Sequence, residues 1–386
     1  MTASDQYLEI FRHYKEKELY GRYINYDTIS PLLEKHSSFF KREIIGLSEK
    51  GNNIDLLQIG SGKITILAWS QMHGNESTTT KAFFDILNFL ADRNNALAHS
   101  ILKNCTIYFI PMLNPDGSKA YTRLNGNGVD LNRDAQEVTQ SESKVLREVI
   151  KKVRPDLAFN LHGQRTIFSV GDTAIPATVS FLSPAADKER SITTARKTAM
   201  QLIIKMNKVL QHFIPQGVGR YDDSFNHNCI GDTLSVMQVP TILFEAGHYP
   251  DDYQREQTRF YIFVSLVEGL ISIANNTYVA EAYSAYFEIP ENEKKFYDLI
   301  IRNVLVHRNR VDIGIQYEEQ LHLNELKFVP KVLKIDNLSG FYGHREIEGN
   351  QRKIRHENDT VQVSEEIEML NFYLNDELFS TELAKN

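Results

Sequence analysis

The sequence predicts an α/β protein, a three-layer α/β/α arrangement around a central mixed, largely parallel sheet, with a small C-terminal α+β appendage. From residue 54 onward, short apolar runs rich in β-branched residues alternate with longer segments of helical period, as stacked βα units require. The composition is that of an ordinary folded protein, because 42% of the 386 residues are apolar and 24% are charged. A chain of this length favours one large domain plus a smaller one.

The first fifty residues are predicted to form a helical N-terminal extension. Apolar positions recur at helical spacing over residues 4–20 and again over residues 28–47. Pro31 is acceptable there because proline is tolerated in the first turn of a helix. We therefore expect two helices before the first strand.

The α/β pattern begins with two apolar runs around a glycine turn. Residues 54–59 and 64–69 flank Gly60-Ser61-Gly62-Lys63, which predicts two strands joined by a tight turn. The strand-like runs that continue the pattern are residues 64–70, 105–112, 156–161 and 239–244. The segments of helical period between and after them are residues 77–92, 141–153, 188–212 and 254–274. Residues 1–275 are therefore predicted to form one domain.

The character of the chain changes after residue 275. Residues 291–303 have helical spacing, whereas residues 311–321 and 328–336 are typical of strands, and the last 40 or so residues are polar and charged. We expect residues 276–386 to form a small α+β region, whose role the sequence does not reveal.

Charge and cysteine content exclude several classes of protein. With 43 Lys and Arg against 50 Asp and Glu, the net charge of -7 repels nucleic acid and anionic lipid, and no basic patch opposes it. Two cysteines cannot build a disulfide framework. The chain begins without a secretory leader pattern, and it has no apolar run of about 18 residues. We expect a cytoplasmic protein that does not cross a membrane; its oligomeric state is open.

Four of the predicted strands are each followed at once by a polar or ionisable cluster. In open α/β sheets the carboxyl ends of the strands face a common crevice where ligands bind. One pocket could therefore hold all four clusters, which are His73-Gly74-Asn75-Glu76, Asn114-Pro115-Asp116-Gly117, His162-Gly163-Gln164 and Glu245-Ala246-Gly247-His248.

A zinc site is the chemistry that these clusters indicate. The His-x-x-Glu spacing occurs three times, at His13, His73 and His322, but only the pair His73/Glu76 follows a buried type of strand and enters a glycine-containing turn. Two neutral imidazoles and one carboxylate leave the fourth tetrahedral position of zinc open for water or substrate. His162 is the candidate third ligand. Asp130 is the candidate acceptor that fixes the tautomer of a ligating histidine.

The loop after the second predicted βα unit carries two arginines. Arg123 and Arg133 lie among glycines and turn residues, in a segment leaving a strand that ends at the same pocket. A guanidinium binds a carboxylate through two parallel hydrogen bonds, so this loop is a candidate for carboxylate recognition.

Glu245 is the candidate general base. It ends the apolar run PTILF, where an ionised carboxylate is costly without a partner and a nearby cation would supply one. Beside a metal-activated water, this carboxylate could accept a proton and later donate it to a leaving amine.

Together these motifs resemble the zinc carboxypeptidases related to carboxypeptidase A. The similarity covers residues 54–275 and lies in the order and kind of His73-Gly74-Asn75-Glu76, Asn114-Pro115-Asp116-Gly117, Arg123, Asp130-Leu131-Asn132-Arg133, His162 and Phe244-Glu245.

The resemblance implies a zinc-dependent metallocarboxypeptidase that hydrolyses the C-terminal peptide bond of peptides. It implies one zinc ion per chain, held by His73, Glu76 and His162. By the same resemblance, Asp130 orients His73 and Arg123 polarises the scissile carbonyl. Asn132 and Arg133 bind the terminal carboxylate of the substrate, and Glu245 activates the water.

Some parts of the chain depart from the family pattern. Tyr221 is the candidate lid tyrosine, although no local motif supports it, and Gly231 and Asp232 are expected to line the side-chain pocket. Gly163-Gln164-Arg165 stands where relatives often have a Ser-Tyr pair, so we expect an altered pocket wall. Asp134 adds a negative charge after Arg133, which would favour basic or amidated substrates.

Two other functions remain open on the sequence alone. A His-Gly-Asn-Glu start and an Asp-Leu-Asn-Arg segment also occur in zinc deacylases of N-acyl amino acids that resemble succinylglutamate desuccinylase and aspartoacylase. The Asn-Pro-Asp-Gly turn favours the peptidase. A catalytically inactive peptide-binding relative is the second alternative, and Glu245 argues against it because a binding module does not need a general base.

Overall fold

The computed structural model describes residues 3–383. The chain divides into two compact units, the first formed by Met1–Gln164 and Ala177–Asn292 and the second by Arg165–Pro176 and Glu293–Asn386. The second unit thus includes a short segment that follows Gln164. The division into a catalytic region, residues 1–275, and a region of unknown role, residues 276–386, stays a proposal, because compactness does not report on function.

The strands are defined as follows, in chain order: β1 (Lys41–Leu47), β2 (Asn53–Gly60), β3 (Ile64–Ser70), β4 (Cys105–Ile110), β5 (Leu157–Gly163), β6 (Phe168–Val170), β7 (Val179–Leu182), β8 (Val218–Arg220), β9 (Thr241–Ala246), β10 (Asn292–Lys294), β11 (Phe296–Val306), β12 (Asn309–His322), β13 (Glu325–Asp336), β14 (Tyr342–Glu348), β15 (Ile354–His356), β16 (Asn371–Leu374) and β17 (Glu377–Ser380).

The α-helices are α1 (Ala3–Tyr14), α2 (Tyr26–Lys35), α3 (Thr78–Ala91), α4 (Ala96–Asn104), α5 (Pro115–Ala120), α6 (Ser141–Val153), α7 (Thr194–Leu210), α8 (Ile230–Val236) and α9 (Glu256–Ala274). Short 3-10 helices cover Leu131–Arg133, Tyr278–Ala280 and Tyr283–Glu288. None of the helices within residues 3–383 combines the length and apolar character that crossing a membrane requires.

The first unit contains the predicted mixed sheet, with eight strands in the order β1-β2-β4-β3-β5-β9-β7-β8. The inner pairs β4/β3, β3/β5 and β5/β9 are parallel, as is β7/β8 at one edge. The pairs β1/β2, β2/β4 and β9/β7 are antiparallel. The predicted fold class is confirmed.

The core lies on both faces of this sheet and forms the three predicted layers. Along β3, Ile66 and Ala68 belong to one apolar cluster, whereas Leu67 and Trp69 belong to another. This alternation follows from the period of two in a strand. Helices α3, α7 and α9 pack in the first cluster, and α6 and α8 pack in the second.

The helix expected over residues 28–47 is wrong in its second half. Helix α2 ends at Lys35, and residues 41–47 form β1, which pairs antiparallel with β2. The segment KREIIGL has adjacent β-branched residues that pack on a pleated surface, and pairing with β2 overrides the helical spacing.

The sequence predicted that the glycine segment between β2 and β3 joins them as a tight hairpin, and this prediction is wrong. Strand β4 lies between β2 and β3, antiparallel to the first and parallel to the second. Gly62 lies so close to the end of α4 that a Cβ atom there would be 1.9 Å from the carbonyl carbon of Asn104. The glycine is therefore required by this close approach.

The second unit is built from strands, so the helix expected over residues 291–303 is also wrong. Strand β11 lies in a sheet with the order β13-β12-β11-β14, beside smaller sheets formed by β10-β6 and by β15-β16-β17. Leu299, Ile300 and Ile301 are consecutive and fully buried, which hides the alternation of a strand. A register shift between Ile301 and Val304 puts the next buried apolar residue three positions further along the chain, a spacing that is also typical of a helix.

A network of buried charges joins the N-terminal extension to α3 and α9. Arg259 donates to both carboxylate oxygens of Asp85 at 2.6 and 2.7 Å, and both side chains are fully buried. Glu256 contacts Lys81 at 2.6 Å and Lys15 at 2.7 Å. A buried charge is tolerated when it is paired and hydrogen-bonded. These contacts therefore fix the position of α3 relative to α9 and to the N-terminal extension.

Acid denaturation tests this network. Burial opposes the ionisation of Glu256, but Lys81, Arg259 and Lys15 lower its pKa from 4.5 to about 2. The folded state therefore gains stability that is present above pH 4.5 and is lost as the pH falls toward 2. The gain is about 3 kcal/mol from the size of the shift. We expect Glu256→Gln to remove this pH-dependent part from the free energy of unfolding, measured by urea denaturation at each pH.

Glu148→Gln is the matched control, because Glu148 pairs with Lys151 on the exposed face of α6. Exposed pairs contribute about 0–1 kcal/mol. An unchanged loss of stability in acid for Glu256→Gln would contradict the assignment.

Candidate metal centre and active site

The candidate residues meet at the carboxyl ends of β3, β5 and β9. His73 and Glu76 lie in the loop between β3 and α3, and His162 lies near the end of β5. His162 is paired in parallel register with Glu245 of β9. Registered residues of neighbouring parallel strands project to the same face, so the fold brings Glu245 beside His162.

His73, Glu76 and His162 form a compact cluster of ligand atoms. The Nδ1 atoms of the two histidines are 3.0 Å apart, and each lies 2.9 Å from one carboxylate oxygen of Glu76. Among residues 3–383, no other three His, Cys, Asp or Glu side chains bring ligand atoms within 4.8 Å of one another. His13/Glu16 and His322/Glu325 belong to no such group within these residues.

The donor set fits a divalent cation. Tetrahedral zinc with bonds of about 2.0–2.1 Å places its ligand atoms about 3.3 Å apart, close to the distances here. Two imidazole nitrogens that face each other cannot both donate a proton into the same contact, whereas both can bind a cation. Burial lowers the pKa of His162, which favours the neutral form that binds metal.

Glu76 is ionised and held in place by its surroundings. Burial opposes its ionisation, but His73 and His162 hold the pKa of Glu76 far below its ordinary value. The backbone N–H of Gly163 donates to Glu76 Oε2 at 3.0 Å. The sequence gives no sign of this contact, because a backbone donor has no residue-type signal.

Asp130 occupies the position expected for a residue that orients His73. Its Oδ1 lies 3.1 Å from His73 Nε2 and also accepts from the N–H of Asn132. A proton on Nε2 leaves the Nδ1 lone pair free to face Glu76 and His162. Burial alone would raise the pKa of Asp130, but His73 and Arg123 lower it by more than burial raises it. The carboxylate is therefore ionised.

Arg123 lies at the edge of the cluster and is about half exposed. Its Nε donates to Asp130 at 3.0 Å, and its Nη1 lies 3.3 Å from Glu76 Oε1. The guanidinium is thus fixed beside the ligand atoms, where it can contact an oxygen that gains negative charge.

Two glycines allow the motif loops to touch. A Cβ atom on Gly74 would lie 2.0 Å from the carbonyl carbon of Gly117, so any larger residue would separate the loops. Asn114 caps α5 and also donates to the carbonyl of Met72 at 3.1 Å. The His-Gly-Asn-Glu and Asn-Pro-Asp-Gly segments therefore support each other.

Glu245 differs from Glu76 in its surroundings. Its Oε2 is buried and has no hydrogen-bond partner among the described residues. Burial raises the pKa of Glu245 well above its ordinary value, the negative charge of Glu76 raises it further, and Arg123 opposes the shift. A carboxyl group of raised pKa is suited to accepting and then donating a proton.

Asn132 and Arg133 lie against the start of α8. Asn132 Oδ1 accepts from the N–H of Ile230 at 3.1 Å, and Arg133 Nη1 lies 3.2 Å from Cys229 Sγ. Arg133 is exposed, so its guanidinium is accessible to a carboxylate.

Asp134 does not add its charge to this surface as the sequence suggested. Its carboxylate accepts from the N–H groups of Thr139 and Gln140 at 2.9 Å each, and it is 4% exposed. Asp134 therefore stabilises the following turn.

The residues expected in the side-chain pocket remain predictions. Tyr221 follows β8 and donates its N–H to the carbonyl of Phe181. Gly231 packs against Pro184 and lies near the Asn160 amide, on the face of β5 that also carries His162. Burial raises the pKa of Asp232 to about 7.

Comparison with known proteins agrees with this fold. Residues 26–145 match the model of the family described as Zinc carboxypeptidase. Carboxypeptidase SOL1 of Arabidopsis thaliana is 30% identical over 104 residues, which cover 24% of this chain and 21% of the relative. An uncharacterized protein of Zymomonas mobilis is 29% identical over 141 residues, which cover 35% of this chain and 37% of that protein. The chain thus spans well under half of these relatives.

Two crystal structures show the same fold in spite of low identity. A metallo-carboxypeptidase from Burkholderia cenocepacia has a TM-score of 0.54 at 17% identity, covering 66% of this chain and 70% of that one. Carboxypeptidase A from Helicoverpa armigera has a TM-score of 0.51 at 16% identity, covering 72% and 81%. The family model thus matches one part of the chain, and the two structures show that the chain has a carboxypeptidase A-like fold.

Proposed function

We propose that this chain is a zinc-dependent metallocarboxypeptidase that removes the C-terminal residue of a peptide by hydrolysis of the amide bond. The observation that carries the proposal is the convergence of two histidine Nδ1 atoms and one carboxylate within 3.0 Å, with Glu245 in register beside them. Such a ligand set leaves one coordination position for water or substrate.

His73, Glu76 and His162 would hold one zinc ion per chain. When bound, zinc lowers the pKa of its water toward about 7 and polarises the substrate carbonyl. Asp130 keeps His73 in the tautomer that presents Nδ1 to the ion. Glu76 stays ionised over the working pH range because its pKa is held low.

Glu245 would move the proton. Its buried Oε2 has no hydrogen-bond partner in the described part of the chain and is available to accept a proton from the attacking water, and the raised pKa of Glu245 suits later donation to the leaving amine. Arg123 would stabilise the negative charge that develops on the carbonyl oxygen.

Substrate recognition would come from the loop after α5 and from α8. Asn132 and Arg133 would bind the terminal carboxylate, because Arg133 is exposed and its guanidinium can form two parallel hydrogen bonds. Tyr221 would cover the substrate, and Gly231 and Asp232 would line the pocket for its side chain.

Replacement of the general base is the direct test of the mechanism. We expect Glu245→Gln to lower the rate of peptide hydrolysis by about a hundred- to ten-thousand-fold, because the amide cannot accept the proton of water. Zinc content, measured by atomic absorption, should stay at one per chain. Hydrolysis at a similar rate with zinc retained would show that Glu245 is not the base.

The metal centre has a separate test in Asp130. We expect Asp130→Ala to weaken zinc binding by about 10- to 100-fold, because His73 loses the acceptor that fixes its tautomer. Asp134→Ala is the matched control in the same loop, since Asp134 bonds to the 139–140 turn and should leave zinc affinity unchanged. Zinc affinities from competition with a chelator measure both, and equal effects would contradict the role of Asp130.

A zinc deacylase of small N-acyl amino acids is the alternative function. The same metal ligands and Glu245 could serve it, and only the substrate would differ. A panel of peptides with free carboxyl ends, assayed beside N-acyl amino acids, separates the two functions. Turnover of the N-acyl amino acids alone would favour the deacylase. Failure to hydrolyse either class with zinc bound would favour an inactive peptide-binding relative.

A further inference from the structure

Gln71 has an unusual backbone conformation directly before the metal-ligand loop. It follows the last residue of β3, and its φ angle is +45°, in the left-handed region that residues other than glycine seldom adopt. Holding such a residue there costs about 1–3 kcal/mol, which the surrounding structure must offset. The side chain is fully buried, so contacts inside the protein provide that compensation.

Both the nitrogen and the oxygen of the Gln71 side-chain amide are hydrogen-bonded. Its Nε2 donates to the carbonyl of Gly74 at 2.8 Å and to the carbonyl of Ile24 at 3.0 Å. Its Oε1 accepts from the hydroxyl of Thr80 at 2.9 Å. The opposite placement of nitrogen and oxygen would put an acceptor against two carbonyls, so only this orientation satisfies the amide.

The bond from Gln71 to Gly74 closes a short loop around His73. The backbone N–H of Glu76 donates to the carbonyl of His73 at 3.1 Å. This bond links the two candidate ligands of the loop to the segment that the Gln71 amide closes. The carbonyl of Gln71 itself accepts from the N–H of Asn114 at 3.0 Å, which fixes the start of the loop. None of these contacts requires a metal ion.

We infer that Gln71 is a positioning residue for the metal centre: its amide holds the loop of His73 and Glu76 in metal-binding shape before the ion arrives, and thereby sets zinc affinity. The inference rests on the proposed zinc site. If only a fraction of the metal-free chains has the loop in this shape, the apparent affinity falls by that fraction.

Two substitutions separate the hydrogen bonds from the backbone strain. Gln71→Met removes the amide but keeps a side chain of similar length in the left-handed conformation. Gln71→Gly removes the amide and relieves the strain, because glycine adopts positive φ without steric cost. The metal-free Gly variant should therefore have the higher thermal midpoint of the two. Both variants should nevertheless bind Zn²⁺ about tenfold more weakly than the unmodified chain, by competition with a chelator.

Cobalt substitution gives a second readout that overall stability does not change. We expect the visible absorption spectrum of the Co²⁺-loaded Met and Gly variants to differ from that of the unmodified chain, because the ligands of this loop are less well fixed. Gln216→Gly is the matched control, since Gln216 also has a positive φ of 62° but is exposed. It should leave zinc affinity and the cobalt spectrum unchanged.

If the Gln71 variants do not fold, Thr80→Val provides the test, because it removes the hydroxyl that fixes the Gln71 amide and keeps the shape of the side chain. It should weaken zinc binding in the same direction. Zinc binding within twofold of the unmodified chain in the Met and Gly variants, or in Thr80→Val when only that variant folds, would overturn the inference. The inference would also be overturned if the loss of zinc affinity across the variants were proportional to the fall in their thermal midpoints.

The unmodified chain separates this inference from the proposed function. Stoichiometric zinc binding without hydrolysis would refute the peptidase and leave the role of Gln71 intact. Absence of zinc binding at His73, Glu76 and His162 would overturn both.

Discussion

The structure depends on the burial of two imidazoles and one carboxylate whose ligand atoms face one another at 2.9–3.0 Å. Removing such groups from water is costly unless a charge of the opposite sign or a set of hydrogen bonds replaces the solvent. A divalent cation at this point would satisfy all three groups at once. The register of β5 against β9, the close contact of Gly74 with Gly117 and the orientation of His73 by Asp130 all maintain this arrangement.

Two neighbouring carboxylates are given opposite properties by their surroundings. Glu76 accepts a hydrogen bond from the Gly163 N–H and lies between two histidines, which lower its pKa. Glu245 lies beside the charge of Glu76, and its buried Oε2 has no hydrogen-bond partner within residues 3–383. Environments that push two pKa values apart define which group stays ionised and which one exchanges a proton.

Sequence patterns predicted what depends on alternation and on residue type. The parallel strands and the candidate metal ligands were predicted from apolar runs that are followed by His73 and His162, because strand ends of a parallel sheet share one edge. Strand β11 was missed because both of its faces are buried, which removes the period of two. The role proposed for Gln71 was missed because a left-handed φ and a loop-closing amide leave no pattern in residue spacing. The burial of the Asp134 carboxylate was missed because it depends on a turn that only the folded chain shows.

Anomalous X-ray diffraction at the zinc absorption edge, from crystals of the purified chain grown with zinc, would locate the ion directly. The account predicts one strong anomalous peak per chain, about 2.0–2.2 Å from Nδ1 of His73, Nδ1 of His162 and a carboxylate oxygen of Glu76. A peak held by His13 or His322, or no peak between β3 and β5 in zinc-saturated crystals, would contradict it.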